Sequence, residues 1–187
     1  MTLICVITVT GYFSWKLQQE EKAAVIDHSY IPDLTMDTFN LTQYDAFGRR
    51  VYLLIGDTFT YFKVNTDTMI TQPRLQHYTN EGGKIDKVDW RATSVQGFLN
   101  QEQTKLTLKE DVNFFKDNEN TGALLHIMTP LLNIFEKGER IETDQTVTIK
   151  EPPSYLTGVG MICFPQKDEF TLLKEVKTYY VPTNATP

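Results

Sequence analysis

Hydrophobic residues alternate with polar ones through most of the chain, and most plainly between Gln103 and Lys150. Leu106 and Leu108, Val112 and Phe114, Leu125 and Ile127, Leu132 and Ile134, and Val147 and Ile149 each fall two apart. Successive side chains of a strand point to opposite faces, so this spacing gives each strand one apolar face and one face of Thr, Lys, Glu and Asn. The pattern predicts three strands, Thr104–Phe115, Ala123–Phe135 and Arg140–Lys150, separated by the turns Lys116–Gly122 and Glu136–Glu139. Their product is an antiparallel sheet with one oily side.

The same zigzag begins earlier and continues later. Leu34–Tyr44 alternates around Phe39 and Leu41, Asp45–Arg49 is a turn in which Gly48 can take positive φ, and Arg50–Phe62 is the partner strand. Thr66–Tyr78 carries Pro73 in its middle. Proline supplies no ladder donor, so this segment is expected to be edge-like or bulged. Asn80–Lys84, with its paired glycines, is the clearest hairpin turn, and Ile85–Phe98, Tyr155–Phe164 and Phe170–Val181 complete the series. About nine strands and no convincing soluble helix make the class all-β. Similar polar steps precede Pro73 (Ile70–Gln72), Val112 (Lys109–Asp111) and Val147 (Thr143–Thr146), roughly 37 residues apart, as if a hairpin were stacked repeatedly on itself.

A chain of 187 residues, 41% hydrophobic and 12% aromatic, suits one domain with a core plus an appendage. The appendage is N-terminal. Met1–Leu17 carries no charge before Lys16 and ends on Trp15 and Lys16, as a helix leaving a bilayer would, so it reads as a membrane anchor. Its apolar part spans only about 22 Å of the roughly 30 Å hydrocarbon core, which makes it short. A cleaved signal peptide is the alternative, but a positive n-region and a small-x-small site are both missing. Residues 18–32 then read as a polar tether, 33–181 as the β domain and 182–187 as a tail. Net charge −6, with a pI near 5.1, argues against nucleic acid. Cys5 and Cys163 lie far apart in different settings and read as two inert buried thiols.

Catalytic constellations are not found. His28, His77 and His126 stand alone in the sequence, without the spacing or the partner carboxylates of a zinc site. There is no Gly-x-Ser-x-Gly elbow and no phosphate-cradling Gly-Lys-Ser/Thr loop. Thr143-Asp144 and Glu110-Asp111 read as solvated acids at strand entries rather than catalytic carboxylates. Neither an enzyme nor a cofactor is expected.

An ordered set of segments carries a resemblance. Asp67-Thr-Met-Ile-Thr-Gln-Pro-Arg-Leu75, Val88-Asp-Trp-Arg-Ala92, Leu106-Thr-Leu-Lys-Glu-Asp-Val112, Ile141-Glu-Thr-Asp144, Thr157-Gly-Val-Gly-Met161 and Leu173-Lys-Glu-Val-Lys-Thr-Tyr179 follow an N-terminal anchor. Together, over residues 33 to 181, they resemble the lipopolysaccharide export protein LptC family; the short N-terminal helix is a departure. The resemblance implies a bitopic protein of the Gram-negative inner membrane whose periplasmic domain is an open β-jellyroll, a folded-over antiparallel sheet. It further implies that the greasy inside holds lipopolysaccharide acyl chains, taken from the transporter of LptB, LptF and LptG and passed to LptA. The last strand, Phe170–Val181, resembles the LptA-facing edge, and the stretch near Leu34–Tyr44 the transporter-facing one.

On that reading the lipid-binding groove is lined by Leu41, Tyr52, Leu54, Phe59, Leu75, Trp90, Leu106, Leu108, Phe114, Leu125, Ile127, Leu132, Ile134, Val147, Ile149 and Met161. Gly158 and Gly160 read as a bulge that bends a late strand. The same residues would equally form the closed core of a membrane-tethered β-sandwich that scaffolds and binds no lipid. An anchored hydrolase would require unrelated acids to converge in space.

Overall fold

The computed structural model describes residues 31–63, 68–79, 87–117, 124–152 and 154–180. The expected anchor over Met1–Leu17, most of the tether and the tail lie outside the described residues, among which no helix is long and apolar enough to cross a membrane. Eleven strands form one antiparallel sheet: β1 (Leu34–Tyr44), β2 (Arg50–Tyr61), β3 (Thr68–Thr71), β4 (Arg74–Thr79), β5 (Lys87–Thr93), β6 (Gln96–Leu99), β7 (Lys105–Asp117), β8 (Leu124–Phe135), β9 (Arg140–Glu151), β10 (Ser154–Phe164) and β11 (Glu169–Tyr180). The boundaries agree with the alternation to within a residue or two, apart from two predicted strands that are each broken in the middle. The segment around Pro73 is β3 and β4, and the segment Ile85–Phe98 is β5 and β6.

The connectivity is a meander. β2 pairs with β1 on one side and with β3 and β4 on the other; β4 continues to β5, β3 to β6, and both β5 and β6 to β7. From there β7, β8, β9, β10 and β11 pair in sequence order. Because β3 with β4, and β5 with β6, share one lane each, the eleven strands occupy nine lanes.

Every lane from β3/β4 to β11 is interrupted at about the same height. β3 gives way to β4 at Gln72-Pro73, and β5 to β6 at Ser94-Val95. The register slips between Lys109 and Val112 in β7, between Met128 and Asn133 in β8, and between Val159 and Met161 in β10. Left-handed backbone accompanies it, at Gln72 (φ 51°), Glu110 (63°), Asp111 (49°), Gly160 (75°) and Glu175 (51°), and at Thr38 (52°) in β1. The ladder is carried across the break by Gln72 N–H to Val95 O (2.8 Å), Ser94 N–H to Pro73 O (3.3 Å) and Val95 N–H to Glu110 O (3.0 Å). A bulge bends a strand and increases its local twist, so a row of them is a hinge line along which the whole sheet turns over.

Three sequence-level readings change here. The polar steps read as a repeat are successive crossings of this line. Of the two expectations for Pro73 the bulged one holds and the edge does not: it is buried between neighbouring lanes, tolerated because the ladder is broken there. Glu110-Asp111 and Thr143-Asp144 lie in the middle of β7 and β9, not at strand entries. The bend turns Glu110, Asp111 and Asp144 outward, whereas Thr143 stays buried with its hydroxyl accepting from the Gln145 N–H at 3.2 Å.

Folding brings two leaves together, one holding β4 and β5, the other β3 and β6, with their apolar faces inward. Two contacts join the leaves away from the hinge. The turn Glu136–Gly138 between β8 and β9 packs on Trp90 of β5: Gly138 has φ 83°, and a β-carbon there would overlap the Trp90 ring. The Trp90 indole is buried, stacks on His77 (centroids 5.3 Å apart, planes 19° apart), and its N–H finds no acceptor among the described residues.

The second contact is ionic. Lys116 of β7 reaches the turn Pro165–Lys167 on the opposite leaf, donating to Pro165 O and pairing with Asp168 (2.9 Å) as well as with Asp89 of its own leaf (3.2 Å). Asp89 also accepts from His77 Nδ1 at 3.1 Å, so this histidine, solitary in the sequence, does have a carboxylate partner, brought to it by β4–β5 pairing. Burial alone would raise the Asp89 carboxyl, but the His77 hydrogen bond and the Lys116 ammonium outweigh it and hold the group below its ordinary range. Burial likewise lowers Lys116, and its two carboxylates more than reverse that.

A depressed carboxyl stabilises the fold above its unfolded pKa and stops doing so as pH falls through the folded value; a raised lysine stabilises below its unfolded pKa and is lost as pH rises. The clasp is therefore complete between about pH 4 and pH 10. Asp89→Asn is expected to lower stability by about 1–3 kcal/mol at pH 7 and to flatten the loss of stability below about pH 4, both measured by thermal denaturation across pH. Gly138→Ala should cost about 2–4 kcal/mol, from left-handed strain plus the clash with Trp90. Gly48→Ala, at φ 75° with open space around it, should lose only the strain component, about 1–2 kcal/mol.

Candidate functional site

The leaves enclose one apolar cluster. Of the residues expected to line a groove, Tyr52, Leu54, Leu75, Trp90, Leu106, Leu108, Phe114, Ile127, Leu132, Ile134, Val147, Ile149 and Met161 all lie in it, each no more than 8% exposed. Phe59 and Leu125 pack against it, partly buried, and Leu41 stands out at 49% exposure. The cluster also takes in residues outside that expected lining, among them Phe39 and Val112, which the alternation had marked, and Ile70, Ala92, Ile141 and Cys163. Burial pushes the Cys163 thiol up to about 12, which keeps it protonated and unreactive.

The cluster is not covered equally on all sides. Residues paired across antiparallel strands share a face, so Leu41, opposite buried Leu54, and Met36, opposite Phe59, both point inward from β1. On β11, Thr178 stands opposite Leu156, which packs on the cluster; Val176 and Tyr180, two residues to either side of it, share that inward face. Yet Leu34 (48%), Met36 (37%), Val176 (52%) and Tyr180 (66%) are as exposed as Leu41. Among the described residues β1 pairs only with β2, and β11 only with β10. Each terminal lane therefore ends in a row of free backbone donors and acceptors beside an inner face still wet at its margin. Sequence reading reached Leu41 but not Met36, because the left-handed turn at Thr38 switches the alternation from even to odd positions. The adjacent polar pair Asp37-Thr38, which sets Met36 and Phe39 three apart instead of two, was the signal.

Gly158 and Gly160 lie buried on β10 next to β11. A β-carbon at Gly158 would approach Lys174 O at 3.1 Å and Leu172, and one at Gly160 would press on Leu173 from a backbone with φ 75°. They let the penultimate strand cross the hinge while holding the last strand close.

Among the described residues no three His, Cys, Asp or Glu side chains are placed to hold a metal. Asp89 is held by His77 and Lys116 in the interleaf clasp, and His126, its pKa lowered by burial and by Lys150, is stacked on Phe115 on the outer surface. An apolar face with unsealed margins can hold hydrocarbon, and two unpaired edges can accept another sheet.

The fold has a counterpart among solved structures. LptH of Pseudomonas aeruginosa, described as the LptA-homologous periplasmic component of the lipopolysaccharide transport device, superposes with a TM-score of 0.52 at 7% identity, covering 78% of this chain and 96% of that one. The folded-over sheet is thus a jellyroll of the LptA type. The lipopolysaccharide export system protein LptC of Haemophilus influenzae is 22% identical over 190 residues, 95% of this chain and 90% of its own. The model of the family described as "Lipopolysaccharide-assembly, LptC-related" matches residues 1–181. On that near-complete match this chain belongs to the LptC family, a non-enzymatic component of lipopolysaccharide transport.

Proposed function

We propose that this protein carries lipopolysaccharide by its acyl chains along the inner face of the jellyroll, receiving them from the LptB, LptF and LptG transporter and passing them to LptA. The observation that carries this reading is the exposed inward row Leu34, Met36, Leu41, Val176 and Tyr180 at the margins of an otherwise buried apolar face. In this reading the protein is held in the inner membrane by a single N-terminal helix over residues 1–17, with the jellyroll in the periplasm. The β11 edge faces LptA and the β1 edge faces the transporter.

Physical chemistry explains why such a carrier needs no catalytic group. A methylene in water costs about 0.8 kcal/mol, so several acyl chains of roughly ten carbons each would cost tens of kcal/mol to move bare through an aqueous compartment. Transfer between two apolar faces is nearly neutral by comparison. Direction then has to come from nucleotide hydrolysis in another subunit, and this sequence has no phosphate-cradling loop of its own. A net charge of −6 leaves anionic phosphates and sugars in solvent while the chains are sheltered.

Most of the expected lining is 0–8% exposed, and this favours a second reading, a sealed sandwich that only bridges its partners. The two separate by photocrosslinking in cells. A benzophenone side chain at Leu41 or Tyr180, and at Leu54 if the leaves part to admit lipid, should label lipopolysaccharide. The same group at Phe47, in the exposed β1–β2 turn, should not. Labelling at none of the inward positions would leave only the bridge. The edge assignment is tested separately: a chain ending before Phe170 should lose LptA in a pull-down while still co-purifying with the transporter. Retention of LptA would remove β11 as that edge.

A further inference from the structure

A row of side chains crosses the outer surface of the leaf that holds β4 and β5, each directly opposite the next on the neighbouring strand. Arg91 faces Phe115, Phe115 faces His126, His126 faces Lys150, Lys150 faces Tyr155, and Tyr155 faces Tyr179. The order is cation, ring, ring, repeated twice. Both ring pairs are stacked, Phe115 on His126 with centroids 4.2 Å apart and planes 17° apart, Tyr155 on Tyr179 at 4.5 Å and 8°.

In register the first pair stands between two cationic residues, one of which, Arg91, lies over a ring. The Arg91 guanidinium lies 4.9 Å from the Phe115 centroid, and Lys150 stands opposite His126 and, after burial, is what lowers its pKa. A ring's face is electron-rich, so a cation beside a stacked pair is attracted to it, and cross-strand neighbours are at the right spacing to use that attraction. The second pair has Lys150 on one side only. On the other side is the free edge of β11, where Tyr179 is still 43% exposed.

We infer that the strand which adds to β11 seats a Lys or Arg opposite Tyr179, so that the partner is a protein whose edge strand is cationic at that register. This rests on β11 being the LptA-facing edge and specifies what the LptA-type strand must present there. A second copy of this chain offering its own β1 does not meet the requirement, because Leu34–Tyr44 contains neither Lys nor Arg and the same row reaches β1 at Thr42. The net charge of −6 draws a basic edge at longer range as well.

The test is equilibrium binding of the full-length chain, in detergent, to the purified LptA of the same cell. Tyr179→Phe keeps the ring face and should bind within about twofold of the parent. Tyr179→Leu keeps bulk without the face and should weaken binding about 2- to 30-fold. Tyr179→Glu offers the cation a carboxylate and should stay within a fewfold of the parent, whereas Tyr179→Lys sets like charges opposite and should be the weakest of the four. All four sit on an exposed strand, and unchanged melting temperatures check that the fold is intact. Lys binding as well as Glu, or Leu as well as Tyr, overturns the inferred cation. Self-association through β11 that Tyr179→Lys abolishes overturns the choice of partner. If the chain ending before Phe170 still captures LptA, the edge assignment itself is wrong. If that truncation loses LptA while the four variants bind alike, only the cation is.

Discussion

A sheet with one apolar face must take that face out of water, and the described residues, which hold a single continuous sheet and no α-helix to lay over it, do so by folding that sheet onto itself. The constraint is collective. A stack of hydrogen-bonded lanes turns over where its members yield at one height, so every lane but β2 spends one or two residues on a break, a bulge or a left-handed φ at about the same level. The residues found there, Gln72-Pro73, Ser94-Val95, Glu110-Asp111 and Gly160, differ in kind, because a lane can yield by a missing donor, an outward polar step or an absent β-carbon. What they share is position.

Once the leaves face each other, their separation is set by what lies between and across them. Trp90 fills the interior against Gly138, and Lys116 crosses the gap to Asp168 and Pro165 while remaining tied to Asp89. The clasp is mostly out of water at Lys116 and Asp89 and open at Asp168, so its attraction is stronger than that of a surface pair without burying an uncompensated charge. Both contacts lie away from the hinge and hold the apolar faces together. Among the described residues the terminal lanes β1 and β11 have no such closure, which is why the inner face stays wet along them.

Much of this was legible in the residues. The strand boundaries, the all-β class and nearly all of the buried cluster follow from a spacing of two, because burial of alternate side chains is a property each strand carries by itself. The polar steps were visible too, but as a vague repeat. That they line up into one hinge depends on register, which pairs Lys109 with Leu131 and Val159 with Thr146, and register is a relation between strands that no single segment encodes.

The sequence by itself determined an antiparallel sheet with one greasy face and, through its near-complete match, membership of the LptC family. Tertiary structure alone decided that most of that face is closed over, that His77 has Asp89 for a partner, that Lys116 spans the leaves, and that Met36 and Tyr180 rather than the central leucines are left open. The physical reason is range. Alternation is settled by neighbours two residues apart, whereas exposure at an edge and contact across a fold are settled by residues tens of positions away, brought together only when the lanes bend along one line.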